Sequence, residues 1–429
     1  MNTHLAVLLV AGTVFSAAPV PAKSLAETRA EADKGDAAAQ YALGLRYTNG
    51  RDVEESDTEA LKWYLKAGKQ GYAEAQRRLG MCYLLGNGVP QDAVEAVKWL
   101  RLAAAQHHAG AMKQLGVCYS LGSGVPKDTD EGMHWLRQAA DRGDADAQVE
   151  VGLAYFDGEG VSQDAVEAVM WFRKAAEQGD PNAQKILGNI CIQGARMPQD
   201  LPEAVKWFRK AAEQGDAEAQ LKLGLAYALG TGVTADVKLS HSWLSKAAAQ
   251  EYAPAQLEMG VSYMLGAGVE KDEAEAVKWF HKAAVQGDAD AQTKLALAYL
   301  NGTGVGQNIA EAVEWFRKAT ERNFPAAQIG LGMCYLLGNG VTQDAVEAVK
   351  LFRVAAERGD ADGQFALSLQ YEKGEGVEQQ LVEALKWCRL ASAQGHEVAE
   401  LHQATLEATM TREQVIEAVR LSREWKPTN

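Results

Sequence analysis

Cysteine is scarce in this chain: five among 429 residues, an odd number that leaves at least one thiol unpaired in an exported monomer. Basic residues are outnumbered, 43 Lys and Arg against 57 Asp and Glu, giving a net charge of −14 with no basic stretch. Affinity for phosphate backbones comes mainly from Lys and Arg releasing counterions, so nucleic acid is excluded as a partner class. No apolar run reaches the roughly 20 residues that a membrane-crossing helix needs, so no span is expected in the mature chain. Ser-x-x-Lys, Gly-x-Ser-x-Gly, the phosphate-loop lysine motif and the dinucleotide glycine fingerprint are all missing. The locally recognisable nucleophiles and phosphate cradles are therefore absent, and we expect no enzyme, no catalytic residue, no cofactor and no metal. Apolar residues make up 47% and charged residues 23%, close to globular averages, so the chain can bury a large core.

The longest apolar run, Leu5 to Phe15, spans eleven residues and fits the core of a secretory signal. Val20-Pro21-Ala22 places small groups at the −3 and −1 positions of a cleavage site before Lys23. Residues 1–22 are thus expected to be a signal peptide and the protein to be exported, to a periplasm or outside the cell. An uncleaved start on a cytoplasmic scaffold is the alternative.

A period of 36 residues dominates the rest of the chain. Ala-Gln recurs at Ala39-Gln40, Ala75-Gln76, Ala147-Gln148 and onward in steps of 36 or 72. The same step joins Trp63, Trp99, Trp135, Trp171, Trp207, Trp243, Trp279, Trp315 and Trp387, with Leu351 in the one gap. Ten units fill residues 36–395 without insertion or deletion, which signals a solenoid and argues against separate globular domains.

Each unit reads as two helices. In the first, helix A, Ala39, Leu43 and Tyr47 share a face, with Gly44 beside them to allow a close neighbour. In the second, helix B, Ala60, Trp63, Tyr64 and Ala67 form a buried stripe. The tryptophans are assigned to packing, and removing Trp171 is expected to unfold part of the array. Asp92 with Glu95, Asp164 with Glu167, Asp272 with Glu275 and Asp344 with Glu347 have the spacing of reciprocal N-terminal caps for helix B. Glycines such as Gly71 and Gly143 end helix B, and a Gly-x-Gly-Val turn joins the two helices. Of the 41 glycines, 34 fall at four phases of the repeat, so glycine content here is geometric.

The ends depart from the pattern. Residues 23–35 put Glu27 where Trp belongs, with Ser24 and Glu27 at capping-box spacing, and read as a polar N-terminal lid. Residues 396–429 read as a half repeat followed by a capping helix from Thr411 to Trp425, with Thr411 and Gln414 as a second box. Terminal lids of this kind keep a solenoid soluble.

The run Leu79-Gly80, Tyr83, Gly86-Asn87-Gly88-Val89, Asp92, Glu95-Ala96, Trp99, Ala103-Ala104 resembles the Sel1-like repeat, a relative of the tetratricopeptide repeat, and nearly every unit shares it. The resemblance implies an all-α, right-handed α/α superhelical solenoid whose helices A line a concave surface that holds other proteins. It also carries an alternative, a cell-wall-related hydrolase or penicillin-binding protein, known from secreted members with a disulfide in every repeat. This chain departs from that subgroup, because its cysteines do not come as a pair per unit.

Other chemistry is thin. Cys82 and Cys118 share one phase on neighbouring helices A, which lie roughly 8–10 Å apart, beyond the ~7 Å Cα separation of a disulfide. They are expected to be free thiols filling space. His396-Glu397-Val398-Ala399-Glu400 begins like a zinc-protease signature, but Glu400 stands where the second His is required. The arginines at the phase of Arg101 read as a solvated outer face, and no ligand is assigned to them.

Binding belongs on outward positions of helix A that vary between units, the phases of Tyr41, Leu45 and Thr48. They give a groove with Arg77, Lys113 and Lys185 toward the N-terminal half and Phe156, Met264, Leu300 and Leu336 among its apolar members. Such a surface suits an extended or helical peptide with some acidic character. Packing of the apolar members against the next helix B is the competing reading, and neither partner identity nor oligomeric state follows.

Overall fold

The computed structural model describes residues 23–194 and 198–428. The expected signal peptide, residues 1–22, lies outside the described residues. Among these residues there are 23 α-helices and no strand. The chain is an all-α repeat solenoid, and its contacts divide it into two compact units, Met1–Gln214 and Gly215–Asn429. The division falls between the helices Leu201–Glu213 and Ala217–Leu229, where the 36-residue period continues unbroken.

Helices A and B of every full repeat are 13 residues long, as in Ala73–Leu85 and Ala93–Ala105. Helix A commonly starts at an aspartate whose carboxylate accepts from the third residue of the helix, as Asp144 does from the Ala147 N–H at 2.9 Å. It stops at a glycine in the left-handed region, Gly86 with φ 82° for example. The second turn glycine has a different task. A Cβ on Gly88 would sit 2.4 Å from the Asp57 carbonyl oxygen, so its turn lies directly on the start of the preceding helix B.

Helix B is capped, but not reciprocally. Asp92 accepts from the Glu95 N–H at 3.0 Å, while the Glu95 carboxylate turns away to Lys98 at 2.7 Å. Glu275 and Glu347 do the same with Lys278 and Lys350. Glu167 and Glu311 instead accept from the indole N–H groups of Trp171 and Trp315, both at 3.0 Å. Among the described residues a full box forms at Ser24 with Glu27 and at Thr411 with Gln414.

The hairpin closes on a glycine against a ring. A Cβ on Gly44 would come within 2.5 Å of Tyr64, and one on Gly152 within 2.6 Å of Phe172. Trp63, Trp171, Trp207, Trp315 and Trp387 are buried, whereas Trp99, Trp135, Trp243 and Trp279 are half-buried. Lysines three residues on cover several of the rings, Lys174 lying 3.7 Å from the Trp171 centroid and Lys282 3.7 Å from that of Trp279. Such cation–π contacts let the long lysine stem shield the outer edge of the indole.

The glutamine of each Ala-Gln pair is buried, and in several repeats it works in two directions. Gln76 donates to the Gly68 carbonyl of the preceding helix B at 3.0 Å and accepts from Gln106 of its own repeat at 2.8 Å. The pattern recurs at Gln148 with Gln178 in the first unit and at Gln256 with Gln286 in the second.

At the start of the fold, the buried Arg46 guanidinium donates to the Lys23 carbonyl at 2.6 Å. At the other end Trp425 packs edge-on to Trp387 at 5.8 Å, and the Thr428 N–H donates to the Glu357 carbonyl at 2.8 Å. This C-terminal lid is not polar throughout. Leu401 is 76% exposed because it falls at the outward phase of Tyr41, and Val398 and Ile416 are exposed as well.

Candidate interaction surface on the A helices

Outward residues of helix A form the surface on which sequence variation is free of packing. Arg77, Lys113 and Lys185 are all half-buried there. Lys113 is already engaged: its ammonium pairs with Asp146 and lies 4.0 Å from Asp144, both from the start of the next helix A. Beside it, burial pushes the Glu150 carboxyl up to about 7 even though Lys113 favours its charged form. Arg77 stands apart. Burial, followed by the neighbouring Arg78 charge, weakens its hold on the proton, and among the described residues it makes no hydrogen bond or ion pair.

The apolar candidates are half-buried rather than free. Phe156 packs on the cluster around Phe172 and Leu187, Met264 and Leu300 on the one around Phe280 and Leu295, and Leu336 on the one around Phe352. Their phase, that of Thr48, therefore leans into the stack. The exposed apolar residues come one position later and three positions earlier. In the second unit Leu229, Leu265 and Leu337 are 77%, 71% and 59% exposed at the phase of Asn49, and Leu297 and Met333 are exposed at the phase of Leu45. The Asn49 phase is not among the positions that spacing alone picks out. Its signal is the leucine recurring at Leu229, Leu265 and Leu337, directly ahead of the turn glycine.

A cleft of 340 Å³ opens on this stripe between the helices Ala253–Leu265 and Ala289–Asn301. Val261, Met264, Leu265 and Leu297 supply apolar wall, and Lys294 and Asn301 supply polar atoms. Lys294 lies 3.5 Å from Asp290, and burial raises the nearby Glu258 carboxyl above its ordinary range. The cleft can therefore take an apolar side chain and hydrogen-bond the backbone that carries it.

The remaining candidates have structural roles. All five cysteines are unpaired thiols; burial pushes Cys82 up to about 11 and Cys118 up to about 12, which suppresses thiolate chemistry. His396 caps the last helix A by accepting from the Ala399 N–H at 3.0 Å, and its Nε2 lies 3.3 Å from Asp362. His402 meets Glu372 at 2.7 Å. Among the described residues no group of three potential metal ligands comes together. The arginine ladder is more than a solvated face. Arg101, Arg317 and Arg353 donate to the hydroxyls of Tyr119, Tyr335 and Tyr371, each on the next helix A.

The Sel1 repeat profile matches ten consecutive segments, from residues 37–72 to residues 361–396. Among solved structures, a protective antigen of uropathogenic Escherichia coli strains with the SLR fold, c5321, is 34% identical. The alignment covers 94% of either chain with a TM-score of 0.61. A Sel1 repeat protein from Oxalobacter formigenes is 35% identical over 77% of this chain and 93% of its own, with a TM-score of 0.56. No curated protein matches the chain.

Proposed function

Since the chain belongs to the Sel1 repeat family, whose solenoids are generally protein-interaction scaffolds, we propose that it is an exported scaffold that holds a protein or peptide on its A helices. One observation carries this reading: the exposed stripe of Leu229, Leu265, Leu297, Met333 and Leu337 with its 340 Å³ cleft. Exposed leucines at a repeated phase cost solubility unless something covers them, and contiguous apolar surface rimmed by polar groups is the usual mark of an interaction site. The partner's segment is extended or helical and offers apolar side chains at the spacing of the repeats. Export is supported by the leader-like Leu5 to Phe15 run and by the Escherichia coli relative's being a protective antigen.

Panning a displayed peptide library on the full chain tests the surface. Apolar peptides should be enriched, and their binding should be lost in Leu265→Asp and Leu297→Asp variants that keep the wild-type melting curve. Absence of any enriched peptide, or binding unchanged in both variants, rejects it. Mass spectrometry of secreted material tests export, the expected mature chain beginning at Lys23.

A further inference from the structure

The three cations that favour an acidic ligand in the sequence, Arg77, Lys113 and Lys185, all lie in the first unit. In the second unit the same phase of helix A carries Leu221, Leu257, Thr293, Ile329 and Phe365, none of them charged. The cleft between the helices Ala253–Leu265 and Ala289–Asn301 therefore has its own electrostatic setting, decided one position further along each helix.

On the first of these helices Glu258, Val261 and Leu265 stand three and four residues apart, and on the second Lys294, Leu297 and Asn301 do the same. Such spacing puts each trio on one helix face. Val261, Leu265, Lys294, Leu297 and Asn301 all line the cleft, and Glu258 completes the row on the first wall. Lys294 is already engaged, its ammonium 3.5 Å from Asp290 one turn earlier on its own helix. Glu258 has no such partner: among the described residues its carboxylate makes no hydrogen bond or ion pair. Burial strengthens its hold on a proton, Asp290 and Asp288 push the same way, and Lys294 alone opposes them. Asp288 also caps its helix, accepting from the Ala291 N–H at 2.8 Å. Three carboxylates thus share one ammonium at the end of an apolar cleft. A half-buried carboxylate short of positive charge is costly to ionise, and an incoming cation removes that cost through a charge-assisted hydrogen bond.

We propose that the partner segment held in this cleft is basic: an apolar side chain fills the space between Leu265 and Leu297 while a neighbouring Arg or Lys meets Glu258 and Asp290. This deepens the scaffold reading and rests on it. An acidic segment in the same place meets like charge, which turns the carboxylates into a device for rejecting it. The net charge of −14 attracts a basic segment at long range, so encounter and docking favour the same sign.

Saturation-transfer NMR on the full chain with three peptides tests the sign: acetyl-Ala-Leu-Leu-Arg-Ala-amide, a neutral form with Gln in place of Arg, and an acidic form with Glu there. The Arg peptide should bind about tenfold more tightly than the Gln peptide at low salt, and the advantage should shrink as salt is added. Glu258→Gln and Asp290→Asn together should erase that advantage and leave the affinity for the Gln peptide unchanged. Lys294→Gln should raise the affinity for the Arg peptide, a gain that a damaged fold cannot produce. Equal affinity for the Arg and Gln peptides, or an advantage that survives the double substitution, overturns the proposal and leaves the apolar stripe standing, since both peptides carry the leucines. Tighter binding of the Glu peptide, or no binding of the Arg peptide, overturns it as well, and panning on the Leu265→Asp and Leu297→Asp variants then judges the stripe separately.

Discussion

Gln76 accepts a hydrogen bond from Gln106 through its side-chain oxygen at 2.8 Å while its amide donates to Gly68, so one buried side chain ties together three successive helices. The pair is 30 residues apart and closes the polar balance of the hairpin, where an unpaired amide would be expensive to bury.

In two repeats the first glutamine is present and its partner is missing. Arg322 and Arg358 stand where Gln292 and Gln328 expect glutamine, and the side-chain oxygens of both glutamines are buried without a partner. Arg322→Gln should restore the bond and stabilise the protein by about 1 kcal/mol. Urea unfolding of the variant checks this, and an unchanged midpoint would show that the orphaned oxygen costs nothing.

Glycine normally follows helix B because the chain there has positive φ, 89° at Gly71, yet Glu251 holds the same place at φ 60°. Glu251→Gly should relieve the strain of a side chain in the left-handed region and gain about 0.5–1 kcal/mol. Differential scanning calorimetry reads this as a higher melting temperature.

Trp171 is 2% exposed, donates to Glu167, and lies under Lys174. Trp171→Ala should cost about 3–5 kcal/mol through the cavity and the unpartnered carboxylate it leaves. A melting curve that matches the wild type would remove the packing role.

Burial raises Glu150 to about 7, with Asp146 pushing the same way and Lys113 opposing. A carboxyl whose folded pKa exceeds its unfolded value contributes stability below the ordinary Glu range and loses it as pH rises through about 7. Glu150→Gln should therefore be more stable than the wild type at pH 8, by at least about 1 kcal/mol, with the difference shrinking toward pH 5. Melting temperatures across that range decide it.

Much of the fold was legible because packing imposes a strict phase. Trp171, Phe172 and Gly152 recur at their positions since each repeat buries the same ring against the same backbone. The binding surface was less legible. A step of one residue turns a helix by about 100°, so Leu300 at one phase packs inward while Leu265 at the next stands free. Nothing in local spacing says how far each hairpin rolls on its neighbour, and that roll sets which leucines remain uncovered. The glutamine pairs were visible only as a period marker, because their partners meet across a turn. The reciprocal caps had the right spacing and still failed to close, since Lys98 and the Trp171 indole compete for the same carboxylates within one helical turn.

The sequence by itself determined the repeat length, the helical pairs, their stop signals and the family, because those follow from periodic burial and backbone preference within about 36 residues. Only the tertiary structure decided that Lys113 is spent on Asp146 and which leucines line an open cleft. Those outcomes depend on side chains brought together from successive repeats, and electrostatic pairing and exposure are properties of that meeting.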